Sequence, residues 1–291
     1  MAEIDNKLII YREAIEKYLT EHYLQFHNEP QKILFDSMEY SLLAGGKRLR
    51  ASLAFEFCEL CGGNWQDATA FAAALEMIHA YSLIHDDLPC MDNDDFRRGI
   101  PTNHKVFGET IAVLAGDALL TDAFTVASSA QLPAERVLQA IQVLSECAGS
   151  LGMVGGQVLD VESENRQISE REVLDIQTRK TGALIRAACA MGAIAGGANE
   201  EQFDSACQFA ASFGLAFQIR DDMLDVIGSA QVLSKSVGTD AQKNTFVRLY
   251  GVDRCAELVQ TYSDNAISAL SAFKNTSFLH DLVQKMTTRM N

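Results

Sequence analysis

The stretch that decides the fold runs from residue 71 to residue 99 and reads "FAAALEMIHAYSLIHDDLPCMDNDDFRRG". Its first half is apolar nearly all round, which is typical of a helix surrounded by other helices. Its last fifteen residues carry five aspartates and two arginines. Pro89 has no N–H and clashes with the preceding turn, so the helix is predicted to end or bulge there. The loosened backbone then lets Asp92 return to the side of Asp86.

Helical periodicity extends on both sides of this stretch. Apolar residues recur at three- and four-residue spacing in segments 4–26, 48–62, 135–163, 169–196, 201–228 and 254–273. Alternating β patterns are nearly absent, and no linker or repeat array interrupts the chain. The sequence therefore predicts an all-α fold with one domain, residues 1–291, of roughly ten or more helices.

Composition excludes several classes of function. The net charge of −15 argues against a nucleic-acid partner, because phosphate binding needs a basic surface. It does not exclude an anionic substrate, since metal ions and a few cations reverse the sign locally. No signal peptide or charge-free apolar run of about 18 residues is present, so we expect a cytoplasmic protein without stable membrane insertion. Seven scattered cysteines indicate free thiols in a reducing compartment.

A second acidic segment, "RDDMLD", follows another apolar helix. Asp221 and Asp225 are four residues apart, so both carboxylates leave the same helix face. Carboxylates that converge at the ends of apolar helices repel one another, and a divalent cation removes that cost. Mg²⁺ is the natural candidate, because it is commonly held by one or two carboxylates together with substrate phosphates. One such motif is equally well explained as a solvated helix end, but two of them favour a metal.

Basic residues stand close to both acidic segments. Gly45 and Gly46 precede a helix in "LLAGGKRLRASL", where backbone N–H groups and the helix dipole favour an anion. Arg97 and Arg98 suit phosphate oxygens, or they merely neutralise the aspartates beside them. His79 lies two turns before Asp86, where a lone histidine is more often a core residue. Further cations follow in "TRKTGALIRA" and "LSKSVGTD", and surface lysines alone are weak signals.

Together these segments resemble the trans-prenyl diphosphate synthases. "GGKRLR", "HAYSLIHDDLPCMDNDDFRRGIPTNH", "GDALL", "GGQVLD", "KTGALIRAA" and "AFQIRDDMLDVIG" stand in that family's order and approximate spacing. The resemblance implies a helical bundle of the isoprenoid synthase type with a central apolar cavity. It also implies prenyl transfer between two diphosphate substrates in a protein that is commonly a homodimer.

The resemblance also implies a role for individual residues. About three Mg²⁺ ions would be held by the two acidic motifs, with Asp86, Asp92 and Asp221 as ligands and Asp87 and Asp225 in support. Isopentenyl diphosphate would bind Gly46, Lys47, Arg50, His79 and Arg98. The allylic diphosphate would bind Arg97, Lys180, Thr181, Gln218, Lys235 and Lys243. The carry-over to Lys243 is the weakest, because "GTDAQKNTF" is shorter than the corresponding loop of many relatives.

Product length should depend on the residues one turn before the first motif, Tyr81 and Ser82. A bulky aromatic residue closes a tail cavity and a small one opens it. Tyr81 stands five positions before the motif, and in this the chain resembles the farnesyl (C15) synthases of the family, which carry an aromatic residue there. A C20 synthase is the alternative. A class I terpene cyclase is disfavoured because the second motif is again "DDMLD" and "GGKRLR" offers a second diphosphate site. A non-catalytic subunit is disfavoured because no motif aspartate is missing.

Overall fold

The computed structural model describes residues 2–164, 166–232 and 245–288. Within these residues it is almost entirely helical, with one hairpin of two-residue strands. The helices are α1 Ala2–Leu24, α2 Lys32–Leu42, α3 Leu49–Leu60, α4 Thr69–Asp86, α5 Asn103–Phe107, α6 Glu109–Ser128, α7 Ala134–Ala148, α8 Met153–Ser163, α9 Glu170–Gln177, α10 Ala183–Gly196, α11 Glu200–Val232, α12 Phe246–Ser268 and α13 Ser277–Thr288. The strands are β1 Phe96–Arg97 and β2 Ile100–Pro101, which pair antiparallel. The predicted all-α fold is confirmed.

Helix α4 lies in the centre of the bundle, as its apolar sequence predicts. Its residues from 70 to 78 are all buried, and the helix packs against α3, α6 and α10. Small residues allow these helices to approach closely. A Cβ atom on Gly192 of α10 would lie 2.3 Å from the backbone oxygen of Ala54 on α3. Close packing of this kind holds α4 rigidly, so that its acidic end has a fixed position.

The helical segments predicted at 135–163 and 169–196 are each interrupted in the structure. The first divides into α7 and α8 at Gly149 and Gly152, where a Cβ atom on Gly152 would collide with the carbonyl oxygen of Cys147. The second contains one π-helical turn, Thr178–Gly182, between α9 and α10. Such turns widen the backbone and occur frequently at functional sites.

Two regions of the described chain are long and apolar enough to cross a membrane by length and composition alone. They are α6, Glu109–Ser128, and the stretch Ala134–Ser163, which the break between α7 and α8 divides into two shorter helices; only 39% and 33% of their most apolar 18 residues are buried. Both stretches contain charged residues, so neither is an apolar run free of charge. The unburied apolar side chains include Val113, Leu114 and a row along α8. This pattern is also produced by helices that pack against a second protein chain.

Candidate active site

The first acidic segment begins where α4 ends. The helix stops at Asp86, and the N–H of Asp92 donates to the carbonyl oxygen of Asp86 at 2.9 Å. The turn around Pro89 therefore brings Asp92 back to Asp86, as the sequence predicts. Burial raises the pKa of Asp86 to about 6, and the nearby charge of Lys180 lowers it in opposition. Asp86 is half-buried and Asp92 is exposed, so the pair combines one partly desolvated and one solvated carboxylate at the end of an apolar helix.

Asp87 turns away from this pair toward Arg97. The guanidinium Nε of Arg97 donates to both carboxylate oxygens of Asp87, at 2.7 and 2.9 Å, and its Nη2 lies 3.4 Å from Asp94. Asp87 is buried, and a bidentate pair of this kind has fixed geometry. Arg97 thus neutralises Asp87, which is one of the two interpretations that the sequence leaves open for this arginine. Asp86 also lies close enough to raise the pKa of the Arg97 guanidinium.

The π-helical turn presents Lys180 to the first motif. Its ammonium donates to the carboxylate of Asp160 on α8 at 2.5 Å, and it lies close enough to Asp86 to lower the pKa of that carboxyl. Gly156 permits this arrangement, because a Cβ atom there would lie 2.3 Å from the backbone nitrogen of Lys180. Asp160 was not assigned from the sequence. Its segment "GGQVLD" was part of the resemblance, but only the tertiary contact shows what its carboxylate does.

A chain of hydrogen bonds links the same turn to the second acidic motif. The hydroxyl of Thr181 donates to Oε1 of Gln218 at 2.9 Å, and Nε2 of Gln218 donates to Oδ1 of Asp222 at 2.9 Å. The backbone N–H of Phe246 donates to the other oxygen of Asp222 at 3.0 Å. Burial raises the pKa of Asp222 to about 6, and the bond from Gln218 lowers it in opposition. Asp222 was not assigned from the sequence either.

The remaining residues of the second motif lie on the same stretch of α11. Asp221 and Asp225 are one turn apart, with Asp221 partly buried and Asp225 exposed. Within the described ranges, no three Asp, Glu, His or Cys side chains lie close enough to hold a metal by themselves. The two motifs nevertheless flank one segment, since Lys180 faces Asp86 while its neighbour Thr181 is bonded to Gln218, one turn before Asp221. Carboxylates so arranged suit a cation that takes further oxygen ligands from a phosphate.

The predicted isopentenyl diphosphate residues form a basic corner beside the first motif. Arg98 donates to the carbonyl oxygen of Gly45, and a Cβ atom on Gly46 would lie 3.1 Å from the Arg98 guanidinium. The Nε of Arg50 is buried and has no hydrogen-bond partner among the described residues. Burial lowers the pKa of His79 well below its usual range, and the charges of Arg50 and Arg98 lower it further. This concentration of positive charge around a neutral histidine suits an anion.

The other two cations of "GGKRLR" behave differently. Arg48 has φ 47° and is buried, and its guanidinium donates to Glu76 at 3.1 Å and to the carbonyl oxygen of Leu42 at 2.7 Å. The second oxygen of Glu76 accepts from the N–H of Ala51 at 3.2 Å. Arg48 is therefore an internal anchor of the loop. Lys47 is exposed and lines a separate cleft together with side chains of α1 and α13.

Tyr81 lies under the first motif. It is 6% exposed, and its ring packs edge-on against His85 with the centroids 5.7 Å apart. Burial raises the pKa of Tyr81 to about 12, and the charge of Asp86 raises it further. Gly116, in the "GDALL" segment, makes room for His85, because a Cβ atom there would lie 2.0 Å from the imidazole Nε2. Ser82 donates to the carbonyl oxygen of His79 at 3.0 Å.

The structure thus brings most of the predicted residues into one region, formed by the end of α4 and an interior stretch of α11. Two of them, Lys235 and Lys243, lie outside the described residues. Asp160 and Glu76 join the site or support it without having been predicted. Asp222 and Arg48 belong to the acidic and basic segments that the sequence singles out, but no individual role was predicted for either of them.

Comparison with known proteins agrees with this geometry. Residues 31–283 match the family model described as polyprenyl synthetase. A farnesyl diphosphate synthase of Micrococcus luteus is 42% identical over 98% of this chain and 97% of its own length. A chloroplastic geranylgeranyl pyrophosphate synthase of Catharanthus roseus is 50% identical over 84% of this chain and 70% of its own length. The crystal structure of an FPP/GFPP synthase from Zymomonas mobilis superposes with a TM-score of 0.89 at 35% identity, covering 99% of each chain.

The fold and the paired acidic motifs define a prenyltransferase of the isoprenoid synthase type. The chain belongs to the polyprenyl synthetase family and is a trans-prenyl diphosphate synthase. The relatives include enzymes named for C15 and for C20 products, so the similarity alone does not set the length of the product.

Proposed function

We propose that the protein condenses isopentenyl diphosphate with dimethylallyl or geranyl diphosphate to give farnesyl diphosphate and diphosphate, in a reaction that depends on Mg²⁺. The observation that carries this proposal is the position of Lys180 and Thr181 between two carboxylate motifs, with Tyr81 buried beneath the first. An allylic diphosphate would lie across the motifs, and its hydrocarbon tail would extend toward Tyr81.

The protein residues supply binding and charge stabilisation. Asp86, Asp92 and Asp221 would hold Mg²⁺, with Asp87 and Asp225 in support, and the bound ions would stabilise negative charge on the departing diphosphate. Lys180 adds a positive charge at the same place, and Asp160 fixes its ammonium. The allylic C–O bond to diphosphate breaks and the alkene of isopentenyl diphosphate attacks the allylic carbon. The cation formed by this addition then loses a proton to the departed diphosphate, which leaves the product alkene. Buried apolar helices exclude the water that would hydrolyse the allylic cation.

The second diphosphate would bind in the basic corner. Arg50 has a buried Nε without a partner among the described residues, and Arg98 lies close enough to add a second positive charge beside the neutral imidazole of His79. An anion there restores the hydrogen bond that the Arg50 Nε lacks and offsets the mutual repulsion of these cations. A terpene cyclase uses one diphosphate substrate and has no need of this corner, so the corner favours a two-substrate transferase.

Tyr81 supports a C15 product over the C20 alternative. Its ring is buried five residues before Asp86 and is held in place by the edge-on contact with His85. A fixed aromatic ring at this depth would stop the chain after the third isoprene unit. Incubation of labelled isopentenyl diphosphate with geranyl diphosphate, followed by chromatography of the products, should give a C15 compound. A C20 compound as the main product would reject the farnesyl assignment.

Replacing Tyr81 by alanine is expected to lengthen the product. The Tyr81→Ala change removes the ring that would meet the growing tail, and the space it leaves admits at least one more isoprene unit. The products of the variant should therefore shift from C15 to C20 or longer, as measured by chromatography. Tyr262→Ala on α12 is the control and should leave the product length unchanged. If Tyr81→Ala still gives only C15, another residue limits chain length.

We further propose that the protein is a homodimer. Val154, Val158 and Val161 lie on one face of α8 and are 43%, 52% and 48% exposed. Leu151 continues the same apolar surface, while Asp160 on the other side of α8 pairs with Lys180. A contiguous row of exposed valines is typical of a protein interface, and a second copy of the chain would cover it in a two-fold arrangement.

Light scattering during size-exclusion chromatography tests the dimer. The unaltered chain of 31.9 kDa is expected to elute at twice this mass. Val158→Asp introduces a charge into the centre of the row, where burial without a partner is costly, and should shift the protein to a single chain. Val252→Asp on α12, where the side chain is also exposed, is the matched control and should remain dimeric. A monomeric unaltered protein would contradict the proposal.

A further inference from the structure

Asp222 has no role in the proposed function so far, although it is one of the most buried carboxylates in the described chain. It is 4% exposed and lies next to Asp221 in the second motif. Its two oxygens accept from Nε2 of Gln218 at 2.9 Å and from the N–H of Phe246 at 3.0 Å. Both oxygens are therefore used inside the protein, and the carboxylate is turned toward the start of α12.

The hydrogen bonds form a series from Phe246 through Asp222 and Gln218 to Thr181. Their direction is fixed at the Phe246 end. The backbone N–H of Phe246 can only donate, and a carboxylate can only accept. Gln218 must then present its NH₂ group to Asp222 and its carbonyl oxygen to Thr181. An amide without such neighbours can face either way. Because Thr181 meets a carbonyl oxygen at 2.9 Å, its hydroxyl proton is donated to Gln218.

The Phe246 end of this hydrogen-bond series has a fixed position. Phe246 is 1% exposed and belongs to a buried apolar cluster with Ile219 and Met223 of α11. The hydroxyl of Thr245 caps α12 by accepting from the N–H of Arg248 at 3.3 Å. Hydrogen bonds in such surroundings are strong, and each one polarises the next.

We propose that Asp222 is a positioning residue that keeps the oxygen lone pairs of Thr181 directed into the cleft. This inference rests on the proposed function, in which positive charge develops on the allylic carbon beside Lys180 and Thr181. An oxygen that has donated its proton elsewhere stabilises that charge, whereas a hydroxyl proton pointing into the cleft would repel it. Asp222 acts through Gln218 and Thr181 and touches neither substrate.

The Asp222→Asn variant should reverse the direction of the hydrogen bonds between residue 222, Gln218 and Thr181, while the volume of the side chain changes very little. The backbone N–H of Phe246 cannot be reversed, so the carbonyl oxygen of the new amide accepts from it and the NH₂ group faces Gln218. Gln218 then turns its amide, and its NH₂ group donates to Thr181. The Thr181 proton is left to point into the cleft. We expect kcat to fall about tenfold to a hundredfold, while KM for both diphosphates stays within about threefold.

A double-mutant cycle with Thr181→Val separates this role from a merely structural one. With the hydroxyl removed, the direction of the chain no longer matters, so Asp222→Asn should lower kcat by less than about threefold in the Thr181→Val background. In a Thr181→Ser background, which keeps the hydroxyl, the full loss should return. Asp253→Asn, an exposed carboxylate on α12, is the control and should leave kcat and KM unchanged.

The possible outcomes separate this inference from the proposed function. Equal losses of kcat in the threonine and valine backgrounds, or a change in KM alone, would overturn the role of Asp222 and leave the activity standing. Absence of any product with the unaltered protein would overturn both. If thermal unfolding shows that Asp222→Asn does not fold, the same cycle is run with Gln218→Leu, which interrupts the chain at its middle. A strong dependence on the Thr181 hydroxyl is again the supporting result, and additive losses contradict it.

Discussion

The Asp86→Ala and Asp221→Ala variants should each lose turnover by about a thousandfold or more while remaining folded. Each change removes a carboxylate that the proposal assigns to Mg²⁺, and metal-assisted stabilisation of a leaving group supplies several kcal/mol of the barrier reduction. Folding should be unaffected, because burial already disfavours the charge of Asp86 and raises its pKa to about 6. Steady-state kinetics together with circular dichroism and thermal unfolding would measure both effects.

Asp95 provides the matched control for these variants. It belongs to the same acidic segment, but it is exposed and pairs with Lys105 at 2.6 Å on the outside of the loop. Asp95→Ala should keep turnover within about threefold of the unaltered protein, as is usual for surface changes. Near-normal turnover of Asp86→Ala or Asp221→Ala would show that the carboxylate in question does not hold the metal.

The largest effect on stability is expected from Glu76→Ala. This change leaves the Arg48 guanidinium buried without its 3.1 Å partner, and it also removes the acceptor for the N–H of Ala51. Breaking a buried ion pair by removing one partner costs about 3–5 kcal/mol, and the contact of Arg48 with the partly exposed Glu16 compensates little of the remaining charge. The loop from Gly45 to Arg50 depends on this anchor, so KM for isopentenyl diphosphate should rise as well.

Chemical denaturation measures this loss, and Glu16→Ala serves as its control. Glu16 also contacts Arg48, at 3.4 Å, but its side chain is 36% exposed. A partly exposed pair contributes about 0–1 kcal/mol, so the free energy of unfolding should change little in this control. If Glu76→Ala and Glu16→Ala destabilise the protein equally, the buried pair is not the anchor of the loop.

The acidic end of α4 could be predicted from the sequence because its causes are local. An apolar helix followed by Pro89 must end near that residue, and the observed bond from Asp92 to Asp86 follows from the resulting turn. The spacing of Asp221 and Asp225 likewise depends only on helix geometry. These local features are sufficient to predict a metal site without knowledge of any tertiary contact.

Asp160 and Asp222 could not be assigned in this way, because their partners are distant in sequence. Asp160 pairs with Lys180 across two helices, and Asp222 accepts from Phe246 at the start of α12. For Arg48, by contrast, the sequence pattern suggests a role in ligand binding that the structure does not support. It stands among cations that suggest anion binding, but it is the side chain that the fold buries against Glu76.

The central claim is that two diphosphates react in one metal-dependent site. Its most direct test is the release of inorganic diphosphate from geranyl diphosphate, measured with and without isopentenyl diphosphate and with Mg²⁺ present or removed by a chelator. The account predicts rapid release only when both substrates and Mg²⁺ are present, with one C15 product formed for each diphosphate released. Release from geranyl diphosphate alone, or release that persists without Mg²⁺, would contradict it.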